Sequence, residues 1–435
     1  MNRPYSSYKD SGIEWIGQIP SHWNIKRLKY LDKTIMGQSP ESTDCNKEGV
    51  GIPFLQGNAD FSGLNPMPSV WCDHPNKLAQ KDDILLSVRA PVGAVNVADQ
   101  TYGIGRGLCA IRPKYSHKKY SYYRALCLLD ELNRIATGST YTAVAVDQVN
   151  NVVVPNSVYD EQGILSNYLE RKTAQTDDLI AKKERMIELL KEERTAIINQ
   201  AVTKGLDSSA MMKDSGIEWL GKMPKHWEIK KLKFNASVQF SNVNKKSEEG
   251  ELEVRLCNYV DVYYNDFITP DLDFMEATAS LEEIIKFQLR VGDVIVTKDS
   301  EEWNDIAVPA YVASELPNVI CGYHLAQIRP DTQLINGKYL FWLLSTDCIN
   351  YQFQIEASGV TRFGLGNYAL SNSMVLIPPK KEQDKITDFL DRKTAQIDGQ
   401  VEREKKSIEL LKEFRNALIS EVVTGKIDVR REVNA

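Results

Sequence analysis

Apolar residues recur at near-heptad spacing in two long stretches of the chain, residues 177–202 and 398–423. Neither stretch contains proline, and Gly399 is the only glycine in them. This spacing predicts two helices, each with one apolar stripe to bury. The stripe positions are Ile180, Ile187, Leu190 and Ile197 in the first stretch and Val401, Ile408, Leu411 and Leu418 in the second.

Neither helix can bury its stripe by itself, so each needs a partner surface. We predict that the two helices pair with each other as an antiparallel coiled coil. The alternative, which the sequence leaves open, is that each helix packs on the surface of its own domain. A shorter helix is predicted ahead of each long one, after Glu161-Gln162 and after Glu382-Gln383.

Shorter apolar runs bounded by turn residues occupy two variable regions, residues 30–155 and 234–378. Runs such as 84–88 and 294–296 predict strands, and the patterns near 120–135 and 338–349 predict helices. The two regions share a faint pattern, because Asp-Ile-Leu at 83–85 parallels Asp-Val-Ile at 293–295. The fold class is therefore predicted to be α+β, with one compact α+β domain in each variable region.

The segments that flank the variable regions are duplicated. Lys-Asp-Ser-Gly-Ile-Glu-Trp begins at Lys9 and returns 204 residues later at Lys213. Arg-Lys-Thr-Ala-Gln begins at Arg171 and returns 221 residues later at Arg392. Duplicated flanks around divergent middles predict a pseudo-two-fold internal repeat that carries two different binding surfaces.

Composition narrows the class of protein. No stretch approaches the ~20 apolar residues of a membrane span, and the polar first ten residues do not resemble a signal peptide. The seven cysteines are scattered, so we expect free thiols in the cytoplasm and no metal site. Phosphate-binding loops and nucleophile elbows are missing from the sequence, and we predict no catalytic residue.

The net charge of −6 gives no hint of a nucleic-acid partner, so any DNA contact must come from local groups. Basic residues with neighbouring aromatic or polar residues are the candidates, because arginine and lysine can read guanine edges. The alternative, which the sequence leaves open for each of them, is a solvated surface residue. The candidates are Arg89, Arg106, Lys114, Lys118, Lys119, Thr140 and Tyr141 in the first region, and Lys298, Thr361 and Arg362 in the acidic second region.

Four tryptophans lie in the duplicated flanks, each beside a repeated motif. They are interpreted either as core anchors or as docking surfaces for two identical partner subunits. These docking candidates are Trp15, Trp23, Trp219 and Trp227.

The duplicated phrases resemble those of the specificity subunits of type I restriction-modification systems. The resemblance rests on Asp-Ser-Gly-Ile-Glu-Trp, Pro-x-His-Trp, Arg-Lys-Thr-Ala-Gln and the Glu-Leu-Leu-Lys-Glu helices, and it covers both halves. It implies that each variable region is a target recognition domain that reads one half of a split double-stranded DNA sequence. It also implies that the paired helices fix the unread gap.

The resemblance further implies that the chain is non-catalytic and acts with partners. Two methyltransferase subunits would modify adenines, and two restriction-motor subunits would complete the nuclease. S-adenosylmethionine, ATP and magnesium would be bound by those partners and no cofactor by this chain. The alternative function is a coiled-coil assembly scaffold that does not bind DNA, which the acidic second region favours.

The predicted domain organisation follows from these segments. A first target recognition domain with its repeat phrase covers 1–157, and a central helical spacer covers 158–207. A second target recognition domain covers 208–379, a second helical spacer covers 380–428, and 429–435 is predicted to be a tail.

Overall fold

The computed structural model describes residues 4–136 and 143–432, and the chain divides into two units. Unit 1 comprises Met1–Glu184 and Lys405–Ala435, and unit 2 comprises Arg185–Glu404. Each unit therefore contains one variable region, part of the first long helix and part of the second. This partition differs from the predicted one, in which each helix forms a separate spacer.

Unit 1 is built from short strands, three short helices, the first part of one long helix and the last part of the second long helix. Its strands are β1 (Tyr8–Asp10), β2 (Gln18–Pro20), β3 (Asn24–Arg27), β4 (Asp32–Met36), β5 (Cys45–Asn46), β6 (Ile52–Leu55), β7 (Phe61–Ser62), β8 (Asn65–Pro66), β9 (Val70–Cys72), β10 (Leu78–Ala79), β11 (Ile84–Ser87), β12 (Val95–Val97), β13 (Tyr102–Ile104), β14 (Leu108–Pro113) and β15 (Val153–Asn156). Its helices are α1 (Lys118–Leu126), α2 (Leu129–Ile135), α3 (Val146–Asn151) and α4 (Tyr159–Lys204).

Unit 2 repeats this arrangement with extra helices. Its strands are β16 (Met212–Asp214), β17 (Lys222–Pro224), β18 (Glu228–Lys231), β19 (Ala236–Phe240), β20 (Leu252–Cys257), β21 (Phe267–Ile268), β22 (Met275–Ala279), β23 (Val294–Thr297), β24 (Asp299–Ser300), β25 (Pro309–Val312), β26 (Val319–Cys321), β27 (Leu325–Pro330), β28 (Phe363–Gly364) and β29 (Met374–Ile377). Its helices are α5 (Tyr259–Tyr263), α6 (Leu281–Phe287), α7 (Gly337–Leu344), α8 (Asp347–Glu356), α9 (Asn367–Asn372) and α10 (Lys380–Val423).

Each unit has its own central sheet, which is antiparallel in unit 1 and antiparallel in unit 2 except for the parallel β21–β25 pair at its edge. Its strand order is β12-β11-β14-β4 in unit 1 and β21-β25-β23-β27-β19 in unit 2. The register is also shared, since Asp32 pairs with Pro113 and Ala236 pairs with Pro330. A second sheet completes each unit, with order β10-β13-β6-β9-β5 in unit 1 and β22-β20-β26 in unit 2.

One buried ion pair recurs at the same place in both sheets. Arg112 contacts the buried Asp83 at 2.7 Å in unit 1, and Arg329 contacts the buried Asp293 at 2.8 Å in unit 2. A buried carboxylate needs such a partner because an unpaired charge is costly inside a protein. The faint parallel between the variable regions therefore reflects one common fold.

The helices are longer than the sequence indicated. α4 is continuous over 46 residues and α10 over 44, about 69 Å and 66 Å at 1.5 Å per residue. The predicted break between a short and a long helix is wrong in both copies. No proline interrupts either helix. The glycines at 163 and 399 lie inside the helices, which tolerate them because a single glycine destabilises a helix by only about 1 kcal/mol.

Within each unit, a segment of α4 runs antiparallel to a segment of α10. In unit 2, Arg194 pairs with Asp398 at 3.1 Å, and in unit 1, Arg415 pairs with Asp177 at 2.8 Å. Arg415 lies 221 positions after Arg194, and Asp398 lies 221 positions after Asp177, so the internal repeat relates the two contacts.

The predicted stripe faces inward along both helices. The buried members are Ile180, Leu190, Val401, Ile408 and Leu418, and the half-buried members are Ile187, Ile197 and Leu411. Leu190, Ile397 and Val401 form a small apolar cluster in unit 2. Supercoiling of the pair stays a prediction.

The carboxyl end of the chain is part of the unit 1 core, so the predicted tail is wrong for its first residues. Val429 is fully buried, and the guanidinium of Arg430 lies 4.7 Å from the centre of the Tyr5 ring. Gly425 allows this return, because its φ is +75° and an added Cβ would collide with Pro20.

Two of the predicted free thiols are joined. Cys45 and Cys72 lie directly opposite each other in the β5–β9 pair and form a disulfide. Their separation of 27 residues gave no indication of this pairing, which the strand register produces. Among the described residues, the cysteines at 109, 127, 257, 321 and 348 are free. No described helix is long and apolar enough to cross a membrane.

Trp23 and Trp227 are fully buried, so the docking interpretation is wrong for these two residues. Trp15 and Trp219 are half-buried and pack against the cores of their units. The buried tryptophans of the duplicated flanks pack in cores that include residues of both long helices, α4 and α10.

Glu161 is a buried acceptor that joins several elements of unit 1. Its carboxylate accepts from Tyr5 Oη, Trp23 Nε1 and His22 Nε2, each at 3.0 Å. Burial, and then the neighbouring carboxylate, raise the pKa of Tyr5 above its usual range. The repeat equivalent Glu382 contacts His226 at 2.8 Å and is more exposed, and Trp227 Nε1 has no hydrogen-bond partner.

We predict that Glu161→Ala lowers the free energy of unfolding by about 2–4 kcal/mol, because it leaves two buried donors without an acceptor. The matched variant Glu382→Ala is expected to cost less than about 1 kcal/mol, since its carboxylate holds a single surface contact. Urea unfolding followed by tryptophan fluorescence measures both. Equal losses would contradict a special contribution of the buried Glu161 carboxylate to stability.

Candidate nucleic-acid interface

In unit 2, three of the predicted DNA-contacting residues meet at the end of the central strand β23. Lys298 follows this strand directly, and Leu365 N donates to Lys298 O at 2.8 Å. β24 pairs with β28. This pairing holds the loop before β28, which contains Thr361 and Arg362, beside the end of β23. Gly359 lies in this loop at φ +155°, where a side chain would collide with the carbonyl of Arg362.

The charged groups of this unit 2 site are organised around one carboxylate. Asp299 contacts Arg362 Nη2 at 2.8 Å through one oxygen and His324 Nδ1 at 2.8 Å through the other. Lys298 Nζ donates to Ser241 O at 2.8 Å and lies 4.3 Å from the centre of the Tyr323 ring. Burial lowers the pKa of Lys298.

Unit 1 presents the same backbone arrangement at the end of β11. Val144 N donates to Val88 O at 2.9 Å, which matches the Leu365–Lys298 contact. Arg89 follows Val88, and its backbone forms an antiparallel β-bridge with Ala143. Arg106 donates from Nε to Ser39 Oγ at 3.2 Å, and the two arginines line one groove of about 360 Å³. Thr140 and Tyr141 lie outside the described residues.

The turn before β14 confirms the positional match between the units. Leu108 N donates to Gly105 O at 3.0 Å, and Leu325 N donates to Gly322 O at 3.2 Å. Arg106 in unit 1 therefore corresponds to Tyr323 in unit 2. We name the residues around these two strand ends site 1 (Arg89, Arg106 and Ser39) and site 2 (Lys298, Asp299, Tyr323, His324 and Arg362).

The remaining basic candidates of unit 1 lie elsewhere. Lys114 follows the far end of β14, roughly 20 Å along the strand from its beginning near Arg106. Lys118 pairs with Asp82 at 2.7 Å, and Lys119 pairs with Glu170 on α4 at 2.6 Å. Lys338 and Asp391 form the equivalent of this last pair in unit 2, at 2.7 Å. Lys119 therefore takes part in a repeated contact between a domain and its long helix.

Three members of site 2 were missed as candidates. Asp299 is acidic, and Tyr323 and His324 sit in a turn that resembles the unit 1 turn only in its glycine and leucine. The repeated Gly-x-x-Leu spacing at 105–108 and 322–325 is the signal that could have found them. Tyr259 also lies near site 2, because its side chain is hydrogen-bonded to Ser300. Burial raises the pKa of Tyr259.

The chemistry of both sites suits recognition of base edges. Site 1 offers two guanidinium groups, which can donate to guanine O6 and N7. Site 2 offers the guanidinium of Arg362 and the ammonium of Lys298 as donors, beside the mostly buried carboxylate of Asp299. No group of three potential metal ligands occurs within residues 4–136 and 143–432.

A family model for the type I restriction modification DNA specificity domain matches residues 20–189 and 225–410. The chain belongs to this family. The two matched segments correspond to the two units, so the predicted resemblance, the α+β fold with two recognition domains and the assignment to sequence-specific DNA recognition are confirmed.

Relatives of known class agree with this family. Over 207 residues the chain is 35% identical to a putative type I restriction enzyme MjaX specificity subunit of Methanocaldococcus jannaschii, a stretch that covers 46% of each protein. The MjaIX specificity subunit of the same organism is 23% identical over 95% of both chains. The EcoKI specificity subunit of Escherichia coli K12 is 19% identical over 94% of this chain and 90% of its own.

Solved structures show the same fold at low sequence identity. A chain from work on complex assembly and conformational transition of the type I R-M system has a TM-score of 0.71 and 15% identity, covering 94% of this chain and 99% of its own. The HsdS subunit from Thermoanaerobacter tengcongensis has a TM-score of 0.53 and 14% identity, covering 94% and 98%.

We predict that Arg106→Ala reduces discrimination between a cognate and a scrambled first half-site by roughly 1–3 kcal/mol, because a bidentate donor to guanine is lost. The matched variant Lys118→Ala removes a charge of the same sign at the other end of the sheet and should leave this discrimination unchanged. Competition binding of the assembled complex to the two DNAs measures both. Equal losses would contradict the assignment of site 1.

Proposed function

We propose that this specificity subunit reads a bipartite double-stranded DNA target, with site 1 contacting bases of one half and site 2 contacting bases of the other. The observation that carries the proposal is the shared backbone frame with different side chains. Contacts to phosphates carry no sequence information, whereas contacts to base edges do. Two readers of different half-sites therefore need the same frame and different groups on it.

We further propose that the chain directs partner subunits and performs no chemistry itself. The duplicated flanks suit two copies of one partner, which we take to be a methyltransferase subunit that uses S-adenosylmethionine to modify adenine. Two restriction-motor subunits using ATP and magnesium would complete the complex, and the cytoplasm is the proposed location. A net charge of −6 fits this division, because partners can supply contacts to phosphates.

Methylome sequencing tests the proposal directly. DNA from cells that express the cognate methyltransferase, with and without this chain, should differ by a split motif that carries N6-methyladenine in both halves. A complex that forms without new methylation would instead support the scaffold function, which the acidic second variable region favours.

Exchange of residues 30–155 for the corresponding region of another specificity subunit should change the first half of the methylated motif and preserve the second. The physical reason is that unit 2, which comprises Arg185–Glu404, contains no residue of the exchanged region, so its own contacts with the long helices are kept. The same methylome measurement reports both halves at once. Altered recognition in both halves would contradict independent reading.

The two long helices are proposed to set the length of the unread gap. Insertion of seven residues into each of them, in the same heptad frame, should lengthen the gap and leave both half-sites unchanged. Insertion into one helix alone is the matched control, and it should disrupt assembly because the stripes no longer align. A methylated motif with its original gap in the doubly extended protein would refute this role.

A further inference from the structure

Sites 1 and 2 carry opposite charges at one equivalent backbone position. Arg89 is the second residue after β11, and Asp299 is the second residue after β23. The neighbouring hydrogen bonds, from Val144 N to Val88 O and from Leu365 N to Lys298 O, fix this equivalence. Site 2 thus places a carboxylate where site 1 places a guanidinium.

A carboxylate in a DNA interface needs a physical reason, because it repels phosphates and weakens binding. Asp299 is not a solvated surface charge, since its side chain is only 16% exposed and its Oδ2 is hydrogen-bonded to His324. Its Oδ1 accepts no hydrogen bond and lies in ion-pair contact with Arg362 Nη2 at 2.8 Å. One partner is His324, in the turn between β26 and β27, and the other is Arg362, in the loop before β28. The carboxylate therefore joins three separate segments of unit 2.

The arginine held by Asp299 is itself accessible. Its side chain is 52% exposed, and it sits in the loop that Gly359 and the β24–β28 pair hold in place. A guanidinium can recognise guanine with a planar pair of donors, but an unrestrained arginine loses rotamer freedom when it does so. An ion pair made before binding reduces that loss.

We infer that Asp299 is a positioning residue that orients Arg362 for one guanine in the second half-site, with His324 orienting Asp299 in turn. This inference rests on the proposed reading of the second half-site by unit 2. The recognised group is a guanine edge, O6 with N7, because that is the pair of acceptors that a bidentate arginine fits.

For Asp299→Asn, the positioning role and simple electrostatics predict opposite effects on DNA recognition. Removal of a negative charge beside DNA should strengthen binding to any sequence. Loss of a positioning contact should instead weaken the preference for guanine at one position, while overall affinity holds or rises. Glu302→Gln is the matched control, since it removes an exposed carboxylate three residues away that has no part in the ion pair.

The experiment measures competition binding and the methylated motif of the assembled complex for each variant. Asp299→Asn should reduce the preference for guanine at one second-half position by roughly fivefold, and Arg362→Ala by roughly ten- to a hundredfold. Arg362→Lys should lose the preference as well, because lysine keeps the charge without the planar pair of donors. Glu302→Gln should retain the wild-type preference.

The double variant Asp299→Asn with Arg362→Ala decides whether Asp299 acts through the arginine. It should behave as Arg362→Ala alone, and additive losses would overturn the inference. An unchanged second half in Asp299→Asn, with both halves still read, would also overturn it and leave the proposed function intact. Failure of the wild-type complex to read a second half-site would instead remove the proposed function.

Discussion

The fold depends on burial of the apolar stripes of α4 and α10, which each unit achieves by taking a segment from both helices. In unit 1 the second segment comes from the end of the chain, so Leu418 and Val422 pack in the same core as Trp23. The first variable region cannot complete its core until the last thirty residues of the chain are present. Contacts of such long sequence separation slow folding, but they also bind the chain ends into one domain.

The same constraint explains which residues are duplicated and which diverge. Tyr120 donates to Val423 O at 3.1 Å, and its equivalent Tyr339 donates to Val202 O at 3.4 Å. These contacts join each variable domain to its helices, as do the lysine–carboxylate pairs at 119 and 338. With the domain–helix contact fixed in this way, side chains at the far end of the central sheet are free to differ. Sites 1 and 2 lie at that end.

The sequence predicted what depends on local pattern. The strands near 84 and 294, helical structure near 120–135 and 338–349 and the inward stripe all follow from residue spacing, and the duplicated phrases indicated the two-fold repeat. The structure divides each of the two predicted helical stretches between two helices, α1 and α2 in unit 1 and α7 and α8 in unit 2. It failed where tertiary neighbours decide. Lys114 and Arg106 are both candidates because they are basic residues of the first variable region, yet β14 separates them by its own length. Trp23 and Trp227 could be distinguished from surface anchors only by their burial, and the Cys45–Cys72 bond only by strand register.

An acidic second domain is compatible with DNA reading once affinity and specificity are treated separately. Affinity grows with the number of neutralised phosphates, and partner subunits can supply those contacts. Specificity needs only a few donors held at the correct angle. In site 2 the acidic residue nearest the candidate donors does not oppose them, because Asp299 is paired with Arg362 and His324 and restricts the arginine. The charge of the domain as a whole therefore says little about whether it reads bases, whereas the geometry around one carboxylate says much more.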